Sequence, residues 1–530
     1  MKKSLCWLAA GAVLTAVGVQ AEETVVPRFD LKEIVLEGNS ILPPAEVAAI
    51  LARFTGPQKD FGTLQEAMES LEAAYRKRGY NLTTVILPEQ ELQQGRVRLT
   101  ALEPKVKEIK IEGNSHFSRD NILATLPTLH VGRPPHVTAL SENLRAANEN
   151  PGKKITLQFK TPDNPEDLQA LVQVKDQKPW KVALTGDNTG TDKSGYYRMG
   201  LLLQHYNLWN LDHVASLQYV TSPDHADKVK IVSGSYRLPI YRLGDTVDIF
   251  GGYSDVDNGE VMSGVTFGGQ GTVTGIRYNL SLPRVGGYEQ KFVLGMDYRF
   301  YDNTIKQGTT SWNQLAPDYV IHPFSVTYGG TWTSDQATLD LYLGVVHNEP
   351  WGGQGTRDYF KTAFANARPD PAVDFTIVRY GFSDLLRPGS DWLIRVAGNG
   401  QFTPDRLVPG EQFGLGGATS IRGYEEREEA YDAGFVGNLE LYSPDLAPLF
   451  GLPKTQFRLL GFFDGGTGFD VGVKANETER SNSLMGAGGG FRLGLGDFFS
   501  FSLDWGCALK EAANTRKGSN MVHFKGQISF

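Results

Sequence analysis

The sequence predicts an α+β N-terminal region followed by a transmembrane antiparallel β-barrel, and three observations indicate it. The segment from Lys32 to Ser40 returns with seven identities from Lys107 to Ser115, 75 residues later. From about Lys181 onward, short alternating segments replace helical periodicity, and the chain ends in such a segment at Phe530. A repeat of this length is a whole small module, and polar–apolar alternation is typical of barrel strands.

The first 21 residues predict a secretory signal peptide. Lys2 and Lys3 precede an apolar run from Leu5 to Val19, and a small-x-small pattern ends at Ala21. This order of charge, apolar run and small residues is the secretory pattern, with cleavage expected after Ala21. A single membrane anchor is the alternative, but the run is shorter than the ~20 apolar residues that a spanning helix needs.

Composition excludes several function classes. The chain has 52 basic and 60 acidic residues and a formal net charge of −8. A net acidic chain without a long basic block argues against nucleic acid as a partner. We find no metal-ligand spacing, nucleophile elbow or phosphate-binding loop. We therefore predict no enzyme activity, no cofactor and no metal.

Each N-terminal copy predicts a β-α-α-β module. In the first copy, Pro43 and Pro44 open one helix, and Thr63 with Glu66 suggests a capping box for a second. The strands of the first copy are predicted at Phe29 to Leu36, Asn81 to Leu87 and Arg96 to Leu102. In the second copy, one helix is predicted to start at Ser118 and another to run through Leu140 to Leu144. Its strands are predicted at Ile155 to Lys160 and Leu168 to Lys175.

Each module offers a small sheet with a free edge beside a helix groove. Such an edge can pair with an extended chain through main-chain hydrogen bonds, which tolerate many side-chain sequences. The alternative is that the modules are spacers, because most sheet edges are protected rather than used.

The C-terminal two-thirds predict a barrel of sixteen strands. Short turns such as 282–287 alternate with long polar connections, and about 350 residues at roughly 20–22 per strand accommodate that number. The last strand places Phe524, Ile528 and Phe530 on one face, as a lipid-facing girdle requires. A soluble sandwich or propeller is the alternative, but it does not explain the signal peptide together with the terminal aromatic strand.

The segment from Arg78 to Thr84, with Pro88 to Leu92 and Gly95 after it, resembles a known domain. It is similar to the first POTRA domain of the two-partner secretion transporters (the TpsB group, ShlB/FhaC/HecB-type haemolysin secretion/activation proteins). The resemblance spans the mature chain. It implies POTRA 1 at 22–103, POTRA 2 at 104–178 and a barrel at 179–530 with a long extracellular loop around 403–433.

Two further motifs carry the resemblance. Ile421-Arg422-Gly423-Tyr424 matches the family's VRGY/F element at the tip of that loop, with Ile in place of Val; Phe462, Asp464 and Gly466 match an F-x-D-x-G element on a late strand. The resemblance implies that the loop folds into the barrel and that Arg422 pairs with Asp464. A guanidinium fork fits a carboxylate bidentately, whereas an exposed pair would contribute only about 0–1 kcal/mol.

The resemblance further implies an outer-membrane transporter with its POTRA domains in the periplasm. It would capture an unfolded exoprotein there and translocate it through the barrel to the cell surface. Outer-membrane lipid and the barrel-assembly machinery are the other expected partners. Phe524, Ile528 and Phe530 are the expected assembly signal, and the protein is expected to be a monomer.

Two alternatives and one departure stand beside this interpretation. A barrel-assembly insertase generally carries more POTRA domains than this chain can hold, and a passive porin has little use for paired periplasmic modules. Only Glu22 to Arg28 separate the predicted cleavage site from the first strand, too few for the plug helix that the family often carries. We therefore expect the inserted loop to be the main obstruction of the pore.

Overall fold

The computed structural model describes residues 28–91, 95–162, 164–191, 194–255, 259–262, 265–267, 270–302, 304–307, 311–314, 317–364, 371–473 and 480–530. The predicted signal peptide at 1–21 lies outside these residues. Among the helices within these ranges, none is both long and apolar enough to cross a membrane.

The first module packs two helices on a small sheet in the order β2-β5-β4, in which β2 and β5 are parallel. Helix α2 begins one turn earlier than predicted, because the Asp60 carboxylate, not Thr63, caps it and accepts the Thr63 N–H at 2.9 Å. The elements are β1 (Phe29–Leu31), β2 (Glu33–Glu37), α1 (Pro44–Leu51), β3 (Gly56–Lys59), α2 (Phe61–Lys77), β4 (Thr84–Ile86) and β5 (Arg96–Leu102).

The second module has a three-stranded sheet in the order β6-β8-β7. The Ser118 hydroxyl caps its first helix and accepts the Asn121 N–H at 3.1 Å. The elements are β6 (Lys105–Glu112), α3 (Arg119–Ala124), α4 (Val137–Ala147), β7 (Lys153–Lys160) and β8 (Asp167–Asp176).

The repeated Gly-Asn turn has the same physical cause in both modules. Gly38 and Gly113 adopt φ of +75° and +86°, and a Cβ at either would lie within 2.5 Å of a carbonyl oxygen on the neighbouring strand. Only glycine fits such a site. The carboxylates of Glu103 and Asp176 accept backbone N–H groups that follow the turns, at 2.8 Å and 2.7 Å. Fully buried Tyr75 donates to Glu103, and burial together with that charge raises the pKa of Tyr75 well above its usual value.

The remaining chain forms a closed antiparallel barrel, which confirms the predicted fold class. In the part of the chain described, its wall has sixteen strands when β20 and β21, which are separated at His322, count as one. The pairs β14–β15, β18–β19 and β25–β26 are separate hairpins. The elements are β9 (Trp180–Asp187), β10 (Arg198–Leu208), β11 (His213–Thr221), β12 (Lys230–Ile240), β13 (Asp245–Ser254), β14 (Gly259–Met262), β15 (Val265–Phe267), β16 (Gly271–Val285), β17 (Tyr288–Tyr301), β18 (Thr304–Gln307), β19 (Ser311–Gln314), β20 (Tyr319–Ile321), β21 (Pro323–Thr333), β22 (Ala337–Asn348), α5 (Arg357–Ala363), β23 (Thr376–Gly389), β24 (Trp392–Phe402), β25 (Phe413–Leu415), β26 (Glu429–Tyr431), β27 (Ala433–Tyr442), β28 (Thr455–Phe469), β29 (Ser481–Leu495), β30 (Phe499–Ala508) and β31 (Asn520–Ser529).

The strand alternation gives the barrel an apolar outside and a polar inside. Ile249 pairs with Ile276 on the outer face, and both side chains are exposed. Their neighbours Asp248 and Arg277 are paired on the inner face. Side chains alternate between the two faces of a strand, so charged groups meet each other inside the barrel, and that is where the candidate site is built.

The barrel closes where β31 pairs with β9, from Lys525 opposite Asp187 to Ser529 opposite Ala183. Phe524 and Ile528 lie half-buried on β31, on the face opposite the buried His523. Phe530 follows the strand, exchanges backbone hydrogen bonds with Val182 and is 68% exposed.

A buried ion pair joins the second module to the turn between β10 and β11. The ammonium of Lys153 donates to the Asp212 carboxylate and, at 3.1 Å, to the side-chain oxygen of Asn121. The Tyr241 hydroxyl donates to the same carboxylate. Both ion-pair side chains are fully buried. Burial lowers the pKa of Lys153, and Asp212 opposes that shift.

We expect Lys153→Met to loosen this junction by about 3–5 kcal/mol, because it leaves the Asp212 carboxylate buried without its countercharge. Hydrogen exchange of the β7 amides in detergent would report the loss as faster opening. Arg76→Gln, which removes the exposed ion pair with Glu72, is the control and should leave β7 unchanged. Equal protection in the Lys153 variant and the wild type would contradict the assignment.

Candidate functional site

The connection between β24 and β27, residues 403–432, lies against the inner wall of the barrel. Leu415, Ile421 and Tyr424 of this connection are fully buried. They belong to one apolar cluster with Val436 and Leu484, which face inward from β27 and β29. The segment is called the inserted loop below.

Arg422 of the inserted loop makes a bidentate contact with Asp464 on β28. The guanidinium Nε and Nη2 donate to the two carboxylate oxygens at 2.7 Å and 2.8 Å, and the Arg422 backbone N–H donates at 3.1 Å. The Asn438 side chain adds a donor at 2.8 Å to the same carboxylate and a second hydrogen bond, at 2.7 Å, to the loop carbonyl of Ser420. Asp464 is 0% exposed, so little solvent screens this pair.

Two further carboxylates of the wall surround the same guanidinium. The Nη1 of Arg422 lies 2.9 Å from Glu440 and 3.3 Å from Asp504. Arg395 contacts Glu440 at 3.2 Å, and Arg492 donates to both oxygens of Asp504 at 2.6 Å and 2.8 Å. Three guanidinium groups thus face three carboxylates, a balance that makes the enclosed charges tolerable.

The three positions of the F-x-D-x-G element act on one face of β28, because a spacing of two keeps side chains on the same side. The Phe462 ring centroid lies 3.6 Å from the guanidinium carbon of Arg422, within cation–π range. Asp464 accepts the two hydrogen bonds from the Arg422 guanidinium. Gly466 leaves room for the loop, since a Cβ there would lie 3.0 Å from Ile421 Cδ1.

The next two residues of the loop motif also fit closely against the wall. Gly423 has φ +98°, and a Cβ there would lie 3.0 Å from the backbone of β30. Its N–H donates to His523 Nε2 at 3.2 Å. The Tyr424 hydroxyl lies 2.8 Å from the Met485 carbonyl oxygen and 2.9 Å from that of Lys510. All four residues of the motif are buried.

Sequence reasoning named Arg422 and Asp464 but missed the residues that complete the site. Asn438, Glu440, Asp504 and His523 all reach it from inward-facing positions of β27, β30 and β31. The alternation of inward and outward side chains along each strand could have identified them, since each is a polar residue within an alternating segment. Gly486 on β29 is also required, because a Cβ there would lie 2.0 Å from the Arg422 carbonyl oxygen.

Within the ranges that the structure describes, no three His, Cys, Asp or Glu side chains form a potential metal site. The contacts of Arg422 with Asp464, Glu440 and Asp504 attach the inserted loop to the barrel wall by ionic and hydrogen-bonded interactions.

A closed barrel with an inserted loop, preceded by two β-α-α-β modules, defines a class of outer-membrane transporters. Residues 169–493 match the family described as haemolysin secretion/activation protein ShlB/FhaC/HecB, and residues 29–103 match the ShlB-type POTRA domain. The chain belongs to the ShlB/FhaC/HecB family. It is a TpsB-type transporter of two-partner secretion, located in the outer membrane with periplasmic POTRA domains. This confirms the resemblance that the motifs indicated.

Curated relatives and solved structures agree with this membership. The chain is 23% identical over 500 residues to the heme/hemopexin transporter protein HuxB of Haemophilus influenzae, covering 90% of this chain and 83% of that one. It is 24% identical over 495 residues to the outer membrane transporter CdiB of Escherichia coli, covering 88% and 76%. The solved structure of CdiB from Escherichia coli has the same fold, with TM-score 0.76 and 19% identity over 97% of this chain and 93% of that chain.

The insertase alternative is not better supported. The solved structure of BamA from Haemophilus ducreyi, lacking POTRA domains 1–3, reaches a TM-score of 0.51 at 14% identity, covering 95% of this chain and 100% of that one. It shares the fold alone.

We expect Arg422→Ala to release the tip of the inserted loop and to impair export without abolishing barrel assembly. The change leaves Asp464 buried without its fork, a loss of about 3–5 kcal/mol. Exoprotein in the medium measures export, and heat-modifiable electrophoretic mobility measures assembly. Arg422→Lys keeps the charge but not the fork and should fall between wild type and Arg422→Ala. Unchanged export by an assembled Arg422→Ala protein would remove this role.

Gly423→Ala should also loosen the loop, because a side chain at φ +98° is strained by about 1–3 kcal/mol and would press on β30. Hydrogen exchange of residues 420–425 would report the loosening. Gly286→Ala is a matched control: Gly286 also has positive φ, at +60°, but a Cβ there has open space. Equal behaviour of the two variants would show that the close approach is unimportant.

Proposed function

We propose that residues 1–21 are a signal peptide, 22–103 and 104–178 are the two POTRA domains, and 179–530 are the barrel with its inserted loop at about 403–433. The start of β9 at Trp180 and the two β-α-α-β modules support this division. The family matches at 29–103 and 169–493 support it as well.

The POTRA domains capture the unfolded exoprotein by strand addition. The second module supports this role because its edge strands β6 and β7 have eight residues each, whereas the edge strands β2 and β4 of the first module have five and three. Main-chain pairing at an edge needs no particular side chains on the partner. A cargo that arrives unfolded presents that kind of unpaired main chain.

The barrel then passes the cargo as an extended chain. A cavity of about 580 Å³ between the inner face of the barrel and residues 146–151 of the second module supports this step. Its lining combines neutral side chains that donate and accept hydrogen bonds, among them Gln204, Ser216 and Gln218, with charged ones such as Arg237 and Lys525. Such a wall replaces water around any main chain without binding one sequence tightly.

The inserted loop controls this passage, and the contact of Arg422 with Asp464 is the observation that carries the proposal. Ile421, Gly423 and Tyr424 seat the loop tip, and Phe462 and Gly466 shape its wall. Folding of the exoprotein outside the cell, rather than nucleotide hydrolysis, drives export.

The other partners follow from the outer face of the barrel. Phe524, Ile528 and Phe530 form the assembly signal that the barrel-assembly machinery reads, and the outward apolar side chains contact outer-membrane lipid. The protein acts as a monomer, without nucleic acid, enzyme activity or cofactor.

Comparison of secreted proteins with and without this chain tests the function. We expect deletion to remove a specific exoprotein from the medium, because TpsB-type transporters work with secreted partner exoproteins. Protein content of the medium and of the outer membrane would be measured in the same cells.

The full chain restored in the deletion strain is the control, and it should return the exoprotein. General loss of outer-membrane barrels would indicate the insertase instead. A deletion strain with an unchanged medium and intact barrels would contradict the export function.

A further inference from the structure

A second buried ionic contact holds the inserted loop, with the charges reversed. Glu411 lies in a 3₁₀ turn, Pro409–Glu411, eleven positions before Arg422, and its side chain is 0% exposed. Its carboxylate accepts hydrogen bonds from Arg299 at 2.6 Å and Arg379 at 3.0 Å, and from the Tyr301 hydroxyl at 3.0 Å. Here the loop supplies the carboxylate and the wall supplies the guanidinium groups.

The wall strands in this contact differ from those that bind Arg422. Arg299 lies on β17 and Arg379 on β23, whereas Arg422 contacts β27, β28 and β30. The inserted loop begins after β24 and ends at β27, and these two strands are neighbours in the wall. Glu411 contacts strands on the β24 side of this point, whereas Arg422 contacts strands on the β27 side. Together they attach the loop to two separate parts of the wall.

Glu411 is also needed for the local charge balance. Asp297 is shared by Arg277 and Arg299, which donate to it at 2.9 Å and 2.8 Å. Among these residues and Arg379, three positive charges face two negative ones when Glu411 is present. Without it, three would face one, and an enclosed charge without a partner is strongly destabilising.

Apolar side chains pack against the turn that carries Glu411. Leu407 and Val408, just before the turn, are fully buried with Tyr319 and Phe360 in a cluster that also takes side chains from the inner faces of several strands. Tyr301 and Tyr319 stack with centroids 4.6 Å apart. A Cβ at Gly410 would lie 2.2 Å from the Tyr301 ring, so the turn sits directly on this pair. The attachment therefore belongs to the packed region that fills this part of the lumen.

We propose that Glu411 is a second positioning residue of the inserted loop, which holds residues 403–415 against β17 and β23 and keeps the lumen closed at rest. The proposal rests on the proposed function of the loop as the obstruction of the pore. Arg422 fixes the tip of the loop, and Glu411 fixes its first half.

Planar-bilayer conductance and hydrogen exchange of the purified full chain test this inference, with Glu411→Gln as the variant. Glutamine keeps the shape of the side chain but removes the charge that holds two guanidinium groups. We expect resting conductance to rise severalfold and exchange in 403–415 to accelerate, while 420–425 keeps its wild-type protection. A merely structural role would loosen both parts of the loop together.

Glu289→Gln is the control, because Glu289 forms an exposed ion pair with Arg284 and should change neither readout. If Glu411→Gln does not assemble, Arg379→Gln is the second test of the proposal. Arg379 is the more exposed partner of Glu411, so its loss should change conductance and exchange in the same direction but by less. Wild-type conductance and exchange in an assembled variant would overturn the proposal. Failure of the proposed export function would be seen separately. In that case the wild-type chain itself would export no protein, and this result does not depend on the conductance of the Glu411 variants.

Discussion

The pairing of Arg422 with Asp464 is the interaction on which the rest of the structure depends. It fixes the tip of the inserted loop against the inner wall of the barrel, and the neighbouring residues support this contact. Glycines at 466, 486 and 423 let backbone and side chain approach closely, and the ring of Phe462 covers the guanidinium. Glu440 and Asp504 carry their own arginines, so the group is nearly neutral. A buried group of this kind persists because each member is hydrogen-bonded.

The barrel makes such a group possible. A strand that is apolar outside is free to be charged inside, and closure of β31 on β9 leaves no edge strand in the part of the wall described. The alternation that places Asp464 inside the barrel also places Asp248, Arg277 and Asp297 on the inner face. The polar interior is thus a consequence of alternation, and it includes both the ion pairs that hold the loop and the polar cavity lined by β10 to β13.

Much of this was predictable, and the exceptions have physical reasons. The repeat of Lys32 to Ser40 predicted two modules because a positive-φ glycine turn must sit at the same place in each. Alternation predicted the barrel. The cap of α2 was misplaced because Asp60 and Thr63 both suit the position, and only geometry chooses between them. Glu411 gave no signal, since a single acidic residue in a polar loop is usually solvated. Its partners Arg299 and Arg379 are far away in sequence and meet it only in the folded barrel.

The chemical nature of the two loop attachments suits a pore that must open. Replacing a buried ion pair by apolar contacts of similar size is often neutral or stabilising, so ionic attachments are not the strongest way to hold a loop. They are, however, directional: an attachment made by forked hydrogen bonds is lost within a small displacement, and water entering the lumen solvates the separated charges. An extended cargo chain that brings water with it would therefore weaken the contacts that, in the proposed function, hold the loop across the pore. In the proposed function, the loop is held firmly at rest and is displaced by the cargo.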